Sequence, residues 1–254
     1  MNTKIGFDLS VTPYGKVKDE KYELAILPWG ATEPHNLHLP YLTDCILSQE
    51  IALDAACRLY EKTAKRVMVL PPVAMGAQNP GQRDLKFCVH YRYETQKAIL
   101  ADLVASLYHQ GLRKLLIING HGGNSFKSMI RDLAVDYPDF LIASTEWYTI
   151  VSPNGFFEEK DDHAGELETS VMMHYRPDLV NLAEAGDGAS RPFSLSSLNE
   201  KTAWVPRNWL KVTSDTGIGN PRKATAEKGK VYATEVVRRI VKLLQELIDA
   251  EDLY

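Results

Sequence analysis

Residues 33–44 place two carboxylates and two imidazoles, Glu33, His35, His38 and Asp44, within a single short segment. Pro34 and Pro40 keep that segment out of regular helix, because proline has no N–H to donate and restricts the residue before it. Carboxylate oxygen and imidazole nitrogen are the donors that borderline divalent metals such as zinc, manganese and iron accept. A two-metal hydrolase needs one carboxylate bridging its ions and terminal ligands on each, and Glu33, His35 and Asp44 can supply one bridge and two terminal groups. Taken singly, each has a plainer reading: Glu33-Pro34-His35 as a surface turn, Asp44 as the cap of the next helix.

Two further clusters offer the same chemistry. His121 sits in Asn119-Gly120-His121-Gly122-Gly123-Asn124, where the missing side chains permit tight backbone geometry and close approach of a ligand. The alternative there is a phosphate-cradling loop, but neither GxxxxGK[ST] nor GxGxxG is present. His163 stands three residues before Glu166 and five before Glu168. If all three are helical, His163 and Glu166 share a face and Glu168 points elsewhere; if His163 precedes the helix, Glu168 can reach a metal. A first turn with acidic residues favoured by the helix dipole is the competing reading.

Such groups need a scaffold to bring them together. Apolar runs at 22–28, 66–75, 114–119 and 140–147 alternate with intervals at 42–63, 94–109 and 125–137 that carry apolar residues at helical spacing. Strand–helix alternation of this kind predicts a parallel sheet covered on both faces, with ligands beyond the carboxyl ends of its strands. Glu33 and His35 follow the first run, residues 75–79 close the second, His121 follows the third, and Glu146 and Trp147 end the fourth. Candidate groups from four places thus converge on one sheet edge. A polar loop at 153–162 is placed to cover that edge, and a helix runs from about 163 to 175, stopped by Pro177. Residues 181–211 lack periodic pattern and receive no function. Residues 221–248 read as a long amphipathic helix with Pro221 in its first turn.

Length and composition set the remaining bounds. At 254 residues the default is one domain, 1–254. A net charge of −4 gives no electrostatic case for nucleic acid or an anionic membrane, so a small molecule is the expected partner. Neither a signal-peptide core nor a run of ~20 apolar residues is present, and the chain reads as cytoplasmic. Cys45, Cys57 and Cys88 show no CxxC spacing and read as reduced core thiols.

The ordered motifs resemble the creatininase (creatinine amidohydrolase) family. Its first motif, approximately Glu-x-His-Gly-x-His-Leu-Pro-x-x-Thr-Asp, corresponds to residues 33–44; Asn-Gly-His-Gly-Gly-Asn is residues 119–124 unchanged; His-Ala-Gly-Glu-x-Glu-Thr-Ser is residues 163–170. Residues 217–221 and 224–229 look like the family's C-terminal pattern. The resemblance implies an α/β three-layer sandwich with a mainly parallel central sheet, two divalent metal ions (zinc first, with manganese or iron as alternatives), hydrolysis of a C–N amide-type bond, and a homo-oligomer, often a hexamer. It assigns Glu33 and His121 to one metal, His35 to the other and Asp44 to the bridge. Creatininase has a glutamate where this chain has Gly123, so another carboxylate must complete the second ion, with Glu168 chosen ahead of Glu166 and Glu146. His163, with Glu166, is the catalytic candidate for charge stabilisation or protonation of the leaving nitrogen. Asn36 replaces a common glycine, and Glu158-Glu159-Lys160-Asp161-Asp162 stands where creatininase carries a substrate-covering tryptophan, which argues against creatinine as substrate. The family also includes deformylases of formamidopyrimidine compounds and a peptidase of cofactor maturation. A non-catalytic binding protein on the same fold is the competing class.

Overall fold

The computed structural model describes residues 4–253. Leu24–Trp29 is buried along its whole length, as a central parallel strand requires, and forms β1. With β2 (Val67–Val69), β3 (Lys114–Asn119) and β4 (Leu141–Glu146) it builds an all-parallel sheet in the order β2-β1-β3-β4. The crossovers are α1 (Thr43–Thr63), α2 (Tyr93–His109) and α3 (Lys127–Asp136), followed by α4 (Glu166–Tyr175), one-turn helices α5 (Ser196–Asn199) and α6 (Trp209–Val212), and α7 (Ala226–Asp249).

Side-chain alternation divides the core into two layers. Leu24, Ile26, Leu116 and Ile118 face Leu47 and Ile51 of α1, Val171 of α4, and Val236, Ile240 and Leu244 of α7. Ala25, Leu27, Leu115 and Ile117 face Leu100 and Val104 of α2 and Met129 and Leu133 of α3. The result is the three-layer sandwich expected. Register pairs Trp29 with Asn119 and Asn119 with Glu146, so the loops leaving β1 and β3 emerge side by side.

Three boundaries differ from the sequence reading. The second run stops as a strand at Val69 because Pro71 and Pro72 have no N–H; single bonds from Leu70 N–H to the Ile26 carbonyl (2.9 Å) and Val73 N–H to the Pro28 carbonyl (3.0 Å) carry the pairing on. Pro221 belongs to a separate 3-10 turn, Pro221–Lys223, and α7 starts at Ala226, where Thr225 Oγ1 accepts the Lys228 N–H. His163 precedes α4, whose first residue is Glu166. Among the described residues no helix is long and apolar enough to cross a membrane, and the three cysteines are free.

Candidate metal centre

Asp44 is the second residue of α1, yet its carboxylate does not cap the helix: Leu42 holds the cap position without a side-chain bond. The carboxylate instead meets the loops that leave β1 and β3. Two glycines make that approach possible, since a Cβ on Gly30 would stand 2.6 Å from the Asp44 Cβ, and one on Gly120 would stand 2.5 Å from the Asp44 carbonyl oxygen.

Around Asp44 the predicted ligands close into one buried cluster. His35 Nε2 lies 2.9 Å from Asp44 Oδ1, and His121 Nδ1 lies 2.7 Å from Glu33 Oε1 and 3.3 Å from Asp44 Oδ2. His163 Nδ1 is 3.9 Å from the same Glu33 oxygen. Donor atoms of Glu33, Asp44 and His121 fall within 4.8 Å of one another, as do those of His35, Asp44 and Glu168, and those of Glu33, His35 and His163. Glu33, His35 and Asp44 each belong to two of these sets, and Asp44 is the group shared by the set with His121 and the set with Glu168.

The far side of each imidazole is held by a backbone carbonyl: His35 Nδ1 by Glu33 at 3.0 Å, His121 Nε2 by Ala77 at 2.7 Å, and His163 Nε2 by Pro34 at 2.9 Å. A carbonyl only accepts, so those nitrogens carry the proton, and the opposite nitrogen of each ring is turned toward carboxylates. Facing acceptors repel unless a cation or an additional proton lies between them. Asp44 Oδ2 has no hydrogen-bond partner despite full burial; the nearby His121 nitrogen lies within ion-pair range but outside hydrogen-bond geometry. The donor set therefore fits divalent metal ions.

Electrostatics follow from that crowding. Burial pushes the Glu33 and Asp44 carboxyls up, but the imidazoles beside them, His121 and His163 for Glu33, His35 and His121 for Asp44, outweigh it and hold both below the ordinary range. Burial likewise opposes charge on His35 and His121, and Asp44 and Glu33 override it, raising both imidazoles. At Glu168 the compensation falls short. Burial, reinforced by Asp44 and Asp161 and opposed by His163, pushes it up to about 8, while its Oε2 accepts the Ala164 N–H at 2.5 Å.

Glu33, His35, Asp44, His121, His163 and Glu168 are thus brought together, and Glu166 and Glu146 are not. Glu166 lies on the opposite side of α4, two residues from Glu168 and so roughly 200° around the helix. Its Oε2 accepts the N–H groups of Glu158 and Glu159, both at 2.8 Å, and its Oε1 accepts from Lys228 Nζ at 2.5 Å. Glu146 is exposed at the end of β4, in a separate depression with Lys127 and Ser144. His38 is also buried but bonds Thr169 Oγ1 at 2.8 Å, and burial beside His35 holds its imidazole down at about 4. It supports the loop.

The motif departures acquire physical reasons. A Cβ on Gly123 would stand 2.0 Å from the Ala77 carbonyl oxygen and 2.4 Å from His121 Nε2, so this backbone admits no side chain there. Asn36 adopts φ +53°, a left-handed conformation asparagine tolerates, and its Oδ1 accepts from Leu37 N–H (2.6 Å) and Gly186 N–H (2.9 Å). Residues that sequence reasoning missed surround the cluster. Gln82 Nε2 donates to Glu33 Oε2 at 2.6 Å. Tyr148, Trp204, Arg207 and Trp209 join Glu33, Asp44, His121, His163 and Glu168 in lining a cavity of about 350 Å³, the scale of a small-molecule site.

The chain is similar over most of its length to known proteins. A profile of the creatininase family, described as creatinine amidohydrolase, matches residues 8–244. The mycofactocin precursor peptide peptidase of Mycobacterium tuberculosis is 29% identical over 232 residues, 87% of this chain and 86% of its own. The creatinine amidohydrolase of Pseudomonas putida is 24% identical over 243 residues, 87% of this chain and 88% of its own. A Bacteroides fragilis crystal structure with a provisional assignment as creatinine amidohydrolase is 63% identical, covers 100% of both chains and superposes with a TM-score of 0.97. A manganese form of creatininase, 21% identical over 96% of this chain and 100% of its own, shares the fold with a TM-score of 0.76; other creatininase structures are of a Zn-Zn type or carry creatine.

Proposed function

This chain belongs to the creatininase family, and on that premise we propose that it is a metal-dependent amidohydrolase cleaving a carbon–nitrogen bond of the amide, cyclic amide or formamide type in a small molecule. The observation that carries the reading is the buried Asp44 oxygen without a hydrogen-bond partner, on the carboxylate common to the donor set with His121 and the donor set with Glu168. Glu33, Asp44 and His121 would hold one ion, and His35, Asp44 and Glu168 the other. Divalent ions bound there supply a water activated near neutral pH and polarisation of the scissile carbonyl.

The chain's own residues do the rest. Carbonyls of Glu33, Ala77 and Pro34 lock the three imidazoles in one tautomer, and Gln82 fixes the outer oxygen of Glu33. His163 lines the cavity with its Nδ1 turned inward, and in this reading Nδ1 takes the proton given up by the attacking water and passes it to the leaving nitrogen. Glu166 takes no part in the chemistry: it ties down the loop that delivers Asp161, Asp162 and His163. Creatinine is disfavoured, because the segment before His163 presents charge where creatininase has a tryptophan. Zinc is the first candidate metal, then manganese and iron; one domain, a homo-oligomer and a cytoplasmic setting complete the reading.

The test is hydrolysis by the metal-loaded protein of a panel of small amides, cyclic amides and formamides. Turnover that depends on metal and is lost in His163→Ala supports the proposal. Stoichiometric metal without turnover of any panel member favours a non-catalytic binding protein.

A further inference from the structure

The irregular excursion that carries no sequence pattern forms one wall of the cavity, through Trp204, Val205, Pro206, Arg207 and Trp209. Its anchoring is specific. Trp209 N–H donates to the Pro80 carbonyl at 2.8 Å, its ring Nε1 donates to the Thr216 carbonyl at 3.2 Å, and its ring stands edge-on to His163 with centroids 5.3 Å apart. Arg207 places its guanidinium 5.0 Å from the centroid of that fixed ring.

Arg207 is the one permanently cationic side chain among the described residues lining the cavity, amid Glu33, Asp44, Asp161, Asp162 and Glu168. Its Nη1 donates to Asp162 Oδ2 at 2.5 Å, the only hydrogen bond it makes among the described residues. Nε and Nη2 remain to donate. Asp162 is half exposed and Arg207 one-third exposed, so solvent screens this ion pair and it contributes little to stability. A planar guanidinium stacked on an immobilised indole, with part of its donor fork unspent and facing a cavity, is preorganised for a carboxylate. Trp204, 81% exposed, and Val205 and Pro206 add an apolar strip beside it.

We infer that Arg207 determines specificity by binding a carboxylate of the substrate, which makes the substrate an amide that also bears a carboxylate, as an N-acyl amino acid does. The inference rests on the amidohydrolase reading for the identity of the reacting group. Trp209 positions Arg207, and Trp204 to Pro206 take the apolar portion of the ligand.

The test is calorimetric titration of the full-length protein, metal-loaded and metal-free, with N-acetylglycine, N-acetylvaline and N-acetylphenylalanine, each against its neutral carboxamide. The expected result is at least about tenfold tighter binding of the acid in one or more pairs, a preference lost in Arg207→Ala and partly kept in Arg207→Lys. Thermal unfolding checks that the variants fold. No preference in any pair, or a preference unchanged in Arg207→Ala, overturns the inference, the latter because the acid would then be held by other groups. Metal analysis of the same samples reads the hydrolase proposal separately: a chain that binds no metal but still distinguishes the pairs through Arg207 sinks that proposal and leaves this one standing.

Discussion

His35 Nε2 stands 2.9 Å from one oxygen of Asp44, and the other oxygen of that buried carboxylate has no hydrogen-bond partner. The protonated edge of the His35 ring is spent on the Glu33 carbonyl. An imidazole lone pair and a carboxylate oxygen do not stay together in a dry interior without a cation or an additional proton between them, and a dry interior makes the unpaired oxygen costly. A divalent metal ion bound there would resolve both problems.

The two glutamates of the third motif separate by what their removal does. Glu168→Gln is expected to lose about one equivalent of metal and to cut activity by at least about 10–100-fold. Glu166→Gln is expected to keep its metal but to lose about 1–3 kcal/mol of stability, since charge-assisted bonds to two N–H groups and Lys228 are weakened. Metal analysis and denaturant unfolding of both variants check this; metal loss in Glu166→Gln alone would reverse the assignment.

Gly123→Ala tests the backbone beside His121. The added Cβ would meet the Ala77 carbonyl oxygen that holds the ring, so the expected cost is about 1–3 kcal/mol from overpacking, together with weakened metal binding as His121 is displaced. A variant with wild-type melting temperature and metal content would show that the turn is not held as described.

Asn36 joins the metal-ligand loop to the excursion through Gly186. Asn36→Gly keeps the left-handed backbone and loses only the tether, whereas Asn36→Ala loses both, so alanine is expected to be the more destabilising by about 1 kcal/mol. Equal unfolding midpoints for the two would contradict the conformational argument.

The metal-free protein carries a stability profile set by its buried acids and imidazoles. Burial raises Glu168 from 4.5 to about 8, so its contribution is complete below pH 4.5 and is lost as pH rises through 8. His35 and His121 are raised by Asp44 and Glu33 against burial; their contribution is complete below 6.5 and is lost as pH rises through their folded values. Glu33 and Asp44, lowered from 4.5 and 3.8, lose theirs on acidification. Metal-free stability should therefore peak near about pH 4.5 and fall toward pH 8. Metal takes the place of those protons, so the gain in melting temperature on adding zinc should be larger at about pH 8 than at about pH 5.5. A gain that shrinks over that interval contradicts the picture.

Much of this was legible because the relevant physics is local. Leu24–Trp29 and Lys114–Asn119 are apolar runs of strand length, and their buried interiors followed directly. The ligand types in residues 33–44 and 119–124 pointed to a metal before any geometry was known. Glu166 and Glu168 could not be separated by spacing, because the answer depends on where α4 begins, and Gly165 rather than His163 precedes its first residue. The second run stays apolar past the end of its strand at Val69, because prolines end hydrogen bonding without ending apolarity. Arg207 and Trp209 were invisible because their places depend on bonds to Pro80, Asp162 and Thr216, and on a loop with no period of its own.

Metal stoichiometry of Asp44→Asn against wild type tests most directly whether Asp44 would serve both proposed ion sites. Asparagine keeps the volume and removes the charge. The account predicts about two equivalents of divalent metal per wild-type chain and fewer than one in the variant, since both donor sets lose their shared carboxylate. Wild-type chain without metal after loading, or a folded variant with undiminished metal content, would contradict it.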